Sequence, residues 1–196
     1  MKKTYYYLFI LLLALVIGCG GKIPHLLVRD YQERGTRLIA VLPVANKTAD
    51  VRVAQILRQR LLDGLYFKGY PKIPLDVVDS KLSQAYHDLN AQGGVIPPQA
   101  AGELTGTDAV MYCALESMKT SYRAFYARTV VSVAFELRSA KTGETLWNAR
   151  YREVRHNFDV TRKWLEMKTC QIYEPTLQEA IDKAMETLPG GPDTVK

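Results

Sequence analysis

Histidine, cysteine and recognisable catalytic spacings are all scarce in this 196-residue chain, and each shortage excludes a class of chemistry. The three histidines, His25, His87 and His156, are dispersed, and no HExxH or Cys/His pair with zinc-ligand spacing occurs. There is no G-x-S-x-G elbow to activate a serine and no glycine-rich phosphate loop. Lys and Arg never run longer than two together, so a net charge of +6 comes without the basic stripe of a nucleic-acid binder. No metal, cofactor or nucleic-acid partner is expected, and no enzymatic constellation emerges. Low-complexity segments are also missing, and 47% apolar with 23% charged residues suits one domain around one core. The one long apolar run, Tyr5 to Ile17, falls short of the roughly 20 residues a membrane span needs.

That run is nevertheless informative, because Lys2 and Lys3 precede it and the small residue Gly18 follows it, the pattern of a cleaved export signal. Val16-Ile17-Gly18-Cys19 resembles the lipobox of bacterial lipoproteins. The resemblance implies cleavage after Gly18, a thioether-linked diacylglycerol on Cys19 and acylation of the freed amine, for instance by palmitate. Two or more chains anchor a protein stably where one binds only reversibly. Gly20 stands where an Asp would mark inner-membrane retention, so the resemblance implies delivery to the outer membrane, on its periplasmic face. The expected organisation is a signal peptide over 1–18, a lipidated tether over 19–36 and a periplasmic domain over 37–196. Without Lys2 and Lys3 the mature part carries 24 basic and 20 acidic residues, a modest excess. Cys113 and Cys170 then remain; an oxidising compartment permits a disulfide between them, and a buried reduced Cys113 is the alternative.

Leu38 to Leu42, closed by Pro43, reads as a strand buried on both faces. Val53, Leu57, Leu61 and Leu65 recur every four residues, with Arg58, Arg60 and Asp63 between them, which predicts an amphipathic helix ending near Gly69. Ile73 to Val78 reads as a second strand, and Asp79 or Ser80 as the cap of a helix carrying Leu82, Ala85, Tyr86 and Leu89 up to Gly93-Gly94. Pro97-Pro98 opens a short helix stopped by Gly106, and Ala109 to Leu115 reads as a third strand. Alternation at Val131, Val133, Phe135 and Leu137, and again at Trp147, Ala149 and Tyr151, predicts an antiparallel hairpin turning at Ala140-Lys141-Thr142-Gly143. Two helices should follow, over Arg162 to Lys168 and Leu177 to Leu188. The fold class is α/β: a single-domain mixed sheet of about five strands with flanking helices.

Several blocks in order carry a further resemblance: Val41-Leu42-Pro43 with Asn46 and Asp50-Val51, Gly69-Tyr70, Asp108 to Tyr112, Thr120-Ser121-Tyr122, and Thr142-Gly143-Glu144-Thr145-Leu146-Trp147. Over roughly residues 30 to 155 the chain resembles a family of outer-membrane lipoproteins typified by a meningococcal vaccine-candidate antigen. The resemblance implies a domain similar to the amino-terminal domain of TolB and to the periplasmic domains of curli-secretion and cell-wall-synthase-activating lipoproteins, which are binding domains. It implies a docking or assembly component of an export or outer-membrane complex, with curli-secretion-like envelope lipoproteins as partners. The alternatives are an activator of a cell-wall enzyme, or a periplasmic hydrolase or small-molecule binder. Asp76 and Asp79, placed by this reading at the carboxyl end of the second strand, are the candidate ligand or acid residues, and Trp147 is the candidate docking aromatic. Ordinary roles account for the same three residues as strand end, helix cap and core ring.

Overall fold

Three long antiparallel strands form the centre of the molecule. The computed structural model describes residues 23–48, 50–90 and 95–194, with the side chains of residues 84–90 and of Cys170 outside the description. In chain order the elements are β1 (His25–Leu27), β2 (Ile39–Val41), β3 (Ala45–Asn46), α1 (Val51–Phe67), α2 (Leu75–Asn90), α3 (Pro98–Thr105), β4 (Ala109–Arg123), β5 (Tyr126–Ser139), β6 (Thr145–Phe158) and α4 (Arg162–Thr187). The sheet has six strands in the order β1-β6-β5-β4-β2, with β3 also beside β4. The pairings β2·β4 and β3·β4 are parallel and the others antiparallel, so the sheet is mixed as the alternation of elements implied.

Each face of the sheet has its own cover. Ile39, Val41, Met111, Val133, Phe135, Leu137 and Trp147 face α1 and α4, whose Leu57, Leu61, Leu177 and Ile181 complete the larger core. On the other face Ala40, Leu42 and Val110 meet Val78 and Leu82 of α2 with Ala101 of α3, a smaller cluster that covers only the β2·β4 side. The β5·β6 side of that face is left open. A bulge at Glu116 inverts the alternation along β4. Below it the odd residues Met111, Cys113 and Leu115 face the larger core; above it Thr120 and Tyr122 hydrogen-bond Tyr173 and Thr169 of α4.

Three elements depart from the sequence reading. Residues 73–78 are not a strand: Pro74 accepts the Val78 N–H, and Val78 and Leu82, one turn apart, open α2 and pack on the sheet. A short apolar run reads equally as buried strand or helix, and here Pro at the helix start decides it. The parallel crossover therefore runs from β2 through three helices to β4. The two expected terminal helices are one 26-residue helix, α4, continuous through Pro175. Finally, residues 25–27, assigned to the tether, form β1 against Trp147, Asn148 and Ala149 of β6.

Candidate functional site

Where the smaller helical cover stops, a groove of about 500 Å³ opens on the uncovered face. Its floor is strand-paired: Tyr112 lies opposite Glu136, and Ala114 opposite Ala134. Two alanines in one cross-strand pair leave a hollow that larger residues would fill. One wall is Leu42-Pro43-Val44-Ala45, where Pro43 lies in the break between the parallel pairings of β2 and β3 with β4, and the other is Val95 and Ile96 before α3. The Tyr112 hydroxyl donates to the Ile96 carbonyl at 2.6 Å, tying that wall to the sheet.

Charge is confined to the mouth. Arg138 donates to Glu136 at 3.0 Å and lies 5.4 Å from the Tyr112 ring centre, while Thr145 donates to Glu136 at 2.6 Å. Burial pushes the Glu136 pKa up, but the hydrogen bonds from Arg138 and Thr145 and the guanidinium charge outweigh it, and the net shift is downward. Both partners therefore stay charged. Further along the open face Glu116 accepts from Ser132 and Arg150. Cys113 borders the groove but is buried, and burial pushes its thiol pKa up, so it is a protonated packing residue rather than a nucleophile. Among the described residues no three His, Cys, Asp or Glu side chains are grouped as metal ligands.

The sequence-predicted candidates are not brought together here. Asp76 is exposed in the first turn of α2, not at a strand end. Asp79 lies one turn on and accepts two hydrogen bonds from Arg58, at 2.7 and 2.8 Å, while Arg58 also donates to the Val41 carbonyl at 2.8 Å. Asp79 is thus the counter-ion of a buried guanidinium that fastens α1 to α2 and β2. Trp147 is fully buried between sheet and α4. Gly18 and Cys19 lie outside the described residues. Cys113 is a buried free thiol, and the side chain of Cys170 lies outside the described residues.

Of the residues that carried the resemblance, Val41, Tyr70, Met111, Leu146 and Trp147 are core, while Asp108 and Gly143 shape turns, with Ser139 beside them. Asp108 accepts from the backbone N–H groups of Arg37 and Leu38, Ser139 Oγ from those of Lys141 and Thr142, and Gly143 takes φ +77° to close the hairpin. Arg34 bridges Asp30 and Glu144 at 2.8 and 2.7 Å. Sequence reasoning missed Arg58, which it leaves among the residues between the apolar positions of α1, and missed Tyr112, Glu136 and Arg138 as one surface. The i, i+2 spacing within β4 and β5 was the available signal; the missing cover over that face was not.

Comparison with known proteins places these features. The family model described as "Putative lipoprotein GNA1162-like" matches residues 28–185. A curated relative, lipoprotein NMB1124/NMB1162 of Neisseria meningitidis serogroup B, is 27% identical over 127 residues, covering 65% of this chain and 59% of that protein, so the chain spans about three fifths of its length. The crystal structure of lipoprotein GNA1162 from Neisseria meningitidis superposes with a TM-score of 0.54 at 23% identity, over 71% of this chain and 97% of that one. A PelC dodecamer from Paraburkholderia phytofirmans gives 0.51 at 16% identity, over 84% and 96%. These structures share the fold.

Proposed function

We propose, from the premise that this chain belongs to the GNA1162-like lipoprotein family, that it is a non-enzymatic docking component of an envelope assembly, serving export or outer-membrane maintenance. Cleavage after Gly18 and lipidation of Cys19 hold it to the periplasmic face of the outer membrane, and its partners are other envelope proteins, lipoproteins of the curli-secretion type among them. The observation that carries the reading is the groove between Pro43 and Ile96. It is an apolar trough with one ion pair at its mouth, whereas a hydrolytic site needs an acid, a base and a nucleophile converging on one point. An apolar trough of this kind accepts an extended or helical segment of a partner.

The alternative of an activator reaching a distant cell-wall enzyme is disfavoured by β1, which leaves only residues 20–22 between Cys19 and the described fold. The test is Ala134→Arg, which fills the hollow from a half-buried position without entering either core. In a strain lacking the native gene, the variant is expected to accumulate and localise normally yet fail to restore envelope integrity. A photo-crosslinker at Val44 is expected to lose its adducts in the same variant. Full complementation by Ala134→Arg would remove the groove from function.

A further inference from the structure

We propose that the far end of the β4–β5–β6 ribbon is a second membrane contact, seated in the headgroup region of the bilayer that holds the lipid on Cys19; the proposal rests on Cys19 being the anchor. Scattered exposed apolar residues are ordinary on a surface, but here they are gathered at one end. Phe125, at the tip of the two-residue β4–β5 loop, is 65% exposed, and its carbonyl accepts the Asp159 N–H beside Phe158 and Val160, 70% and 81% exposed. Trp164 and Met167, nearly one turn apart at the start of α4, are 56% and 44% exposed. Tyr126 packs its ring 5.1 Å from that of Phe158. Aromatic rings with apolar bodies and polar edges are the residue type that settles at a bilayer interface.

Charge at this end suits an anionic lipid surface. Its two carboxylates are matched, Asp159 by Lys168 at 2.6 Å and Glu166 by Arg162 at 2.9 Å, while Arg123, Arg128 and Lys163 are exposed and add positive charge. Among the described residues no helix is long and apolar enough to cross a membrane.

The chain direction says which occupant faces it. β1 runs antiparallel to β6, with His25 opposite Ala149 and the Pro24 carbonyl accepting the Arg150 N–H. At Ile23 the described chain therefore lies beside Tyr151, with the direction back along the chain pointing toward Phe158. From Tyr151 to Phe158 the ribbon extends about 23 Å further. The chain from Ile23 back to Cys19 reaches at most about 14 Å. With the strands upright on the membrane, the aromatic end extends roughly 10 Å past the lipid attachment point, the depth to which apolar faces enter the headgroup and acyl boundary.

The experiment uses the lipidated full chain reconstituted in phosphatidylethanolamine and phosphatidylglycerol vesicles that carry an acyl-brominated lipid. Trp147 and Trp164 are the two tryptophans, so the emission lost on Trp164→Phe reports Trp164 while the core ring is untouched. Flotation with the vesicles and several-fold stronger bromolipid quenching of wild type than of Trp164→Phe is the expected result. Flotation with Trp164 open to acrylamide and unquenched by bromolipid overturns the contact and leaves the anchor standing. Shielding from both quenchers means that a second copy or another protein covers this end, which also overturns it. Failure to float, with no lipid mass on Cys19, overturns the anchor and the contact together.

Discussion

The indole Nε1 of Trp147 donates to Thr187 Oγ1 at 3.1 Å, joining β6 to the last turn of α4. The ring lies 6.5 Å from that of Phe135 and is fully enclosed. Trp147→Ala is expected to lower stability by about 3–5 kcal/mol in a denaturant titration, because the cavity cannot collapse between a sheet and a helix fixed at both ends. Trp147→Phe keeps most of the buried area and should cost about 1–2 kcal/mol, mainly for the lost hydrogen bond. An unchanged midpoint in the Ala variant would show the ring to be dispensable to the core.

Gly102 in α3 faces Ala140, and a Cβ added to it would overlap the Ala140 side chain. Intrinsic helix propensity favours Ala over Gly by about 1 kcal/mol, yet overpacking typically costs 1–3 kcal/mol, so Gly102→Ala is expected to destabilise. A rise in thermal midpoint would mean that α3 shifts freely on the sheet.

Asp76 and Asp79 should separate sharply. Asp79→Asn weakens two charge-assisted hydrogen bonds to Arg58 and is expected to cost about 1–3 kcal/mol, with the half-exposed carboxylate keeping the loss below that of a fully buried pair. Asp76→Asn touches only the helix dipole and should cost under about 1 kcal/mol. If both variants unfold at the native midpoint, the Arg58 bridge contributes nothing measurable.

Stability should fall at both ends of the pH scale for named reasons. The Glu136 pKa is net lowered in the fold, so its contribution is complete above the ordinary Glu value and lost as pH falls through the lower folded value. Glu136→Gln is expected to flatten that acid limb of the thermal midpoint. Burial, then the charges of Glu179 and Glu153, raises the Tyr151 pKa to about 12, so stability is retained below the ordinary tyrosine value and lost as pH climbs through about 12. Tyrosinate absorbance should show a delayed class of residues that Tyr151→Phe diminishes; equal profiles would place this hydroxyl in solvent.

The parts legible in the sequence were those where local pattern and burial agree. Val53 to Leu65 predicts α1 and Val131 to Leu137 predicts β5, since each buries one periodic face. Residues 73–78 misled because two valines after Ile73-Pro74-Leu75 satisfy either period, and only the docking of Val78 and Leu82 on β2 resolves it. The groove was invisible because it is made by what does not cover Ala114 and Ala134, a property of where α2 and α3 end. The role of Arg58 was hidden for a similar reason: its partners, Val41 and Asp79, belong to other elements.

β1 is made first and β6 last among the strands, and the pairing of His25 with Ala149 spans almost the whole fold. Until β6 is made, β1 has no partner. On the anchor proposed at Cys19, the lipid is then linked to β2 by twenty residues of chain, able to stretch about 70 Å. When β6 arrives, β1 seats on it and ties residues 25–27 to the sheet, which shortens the link between Cys19 and the fold. On that proposal, pairing β1 with β6 draws the domain toward the bilayer without any motor.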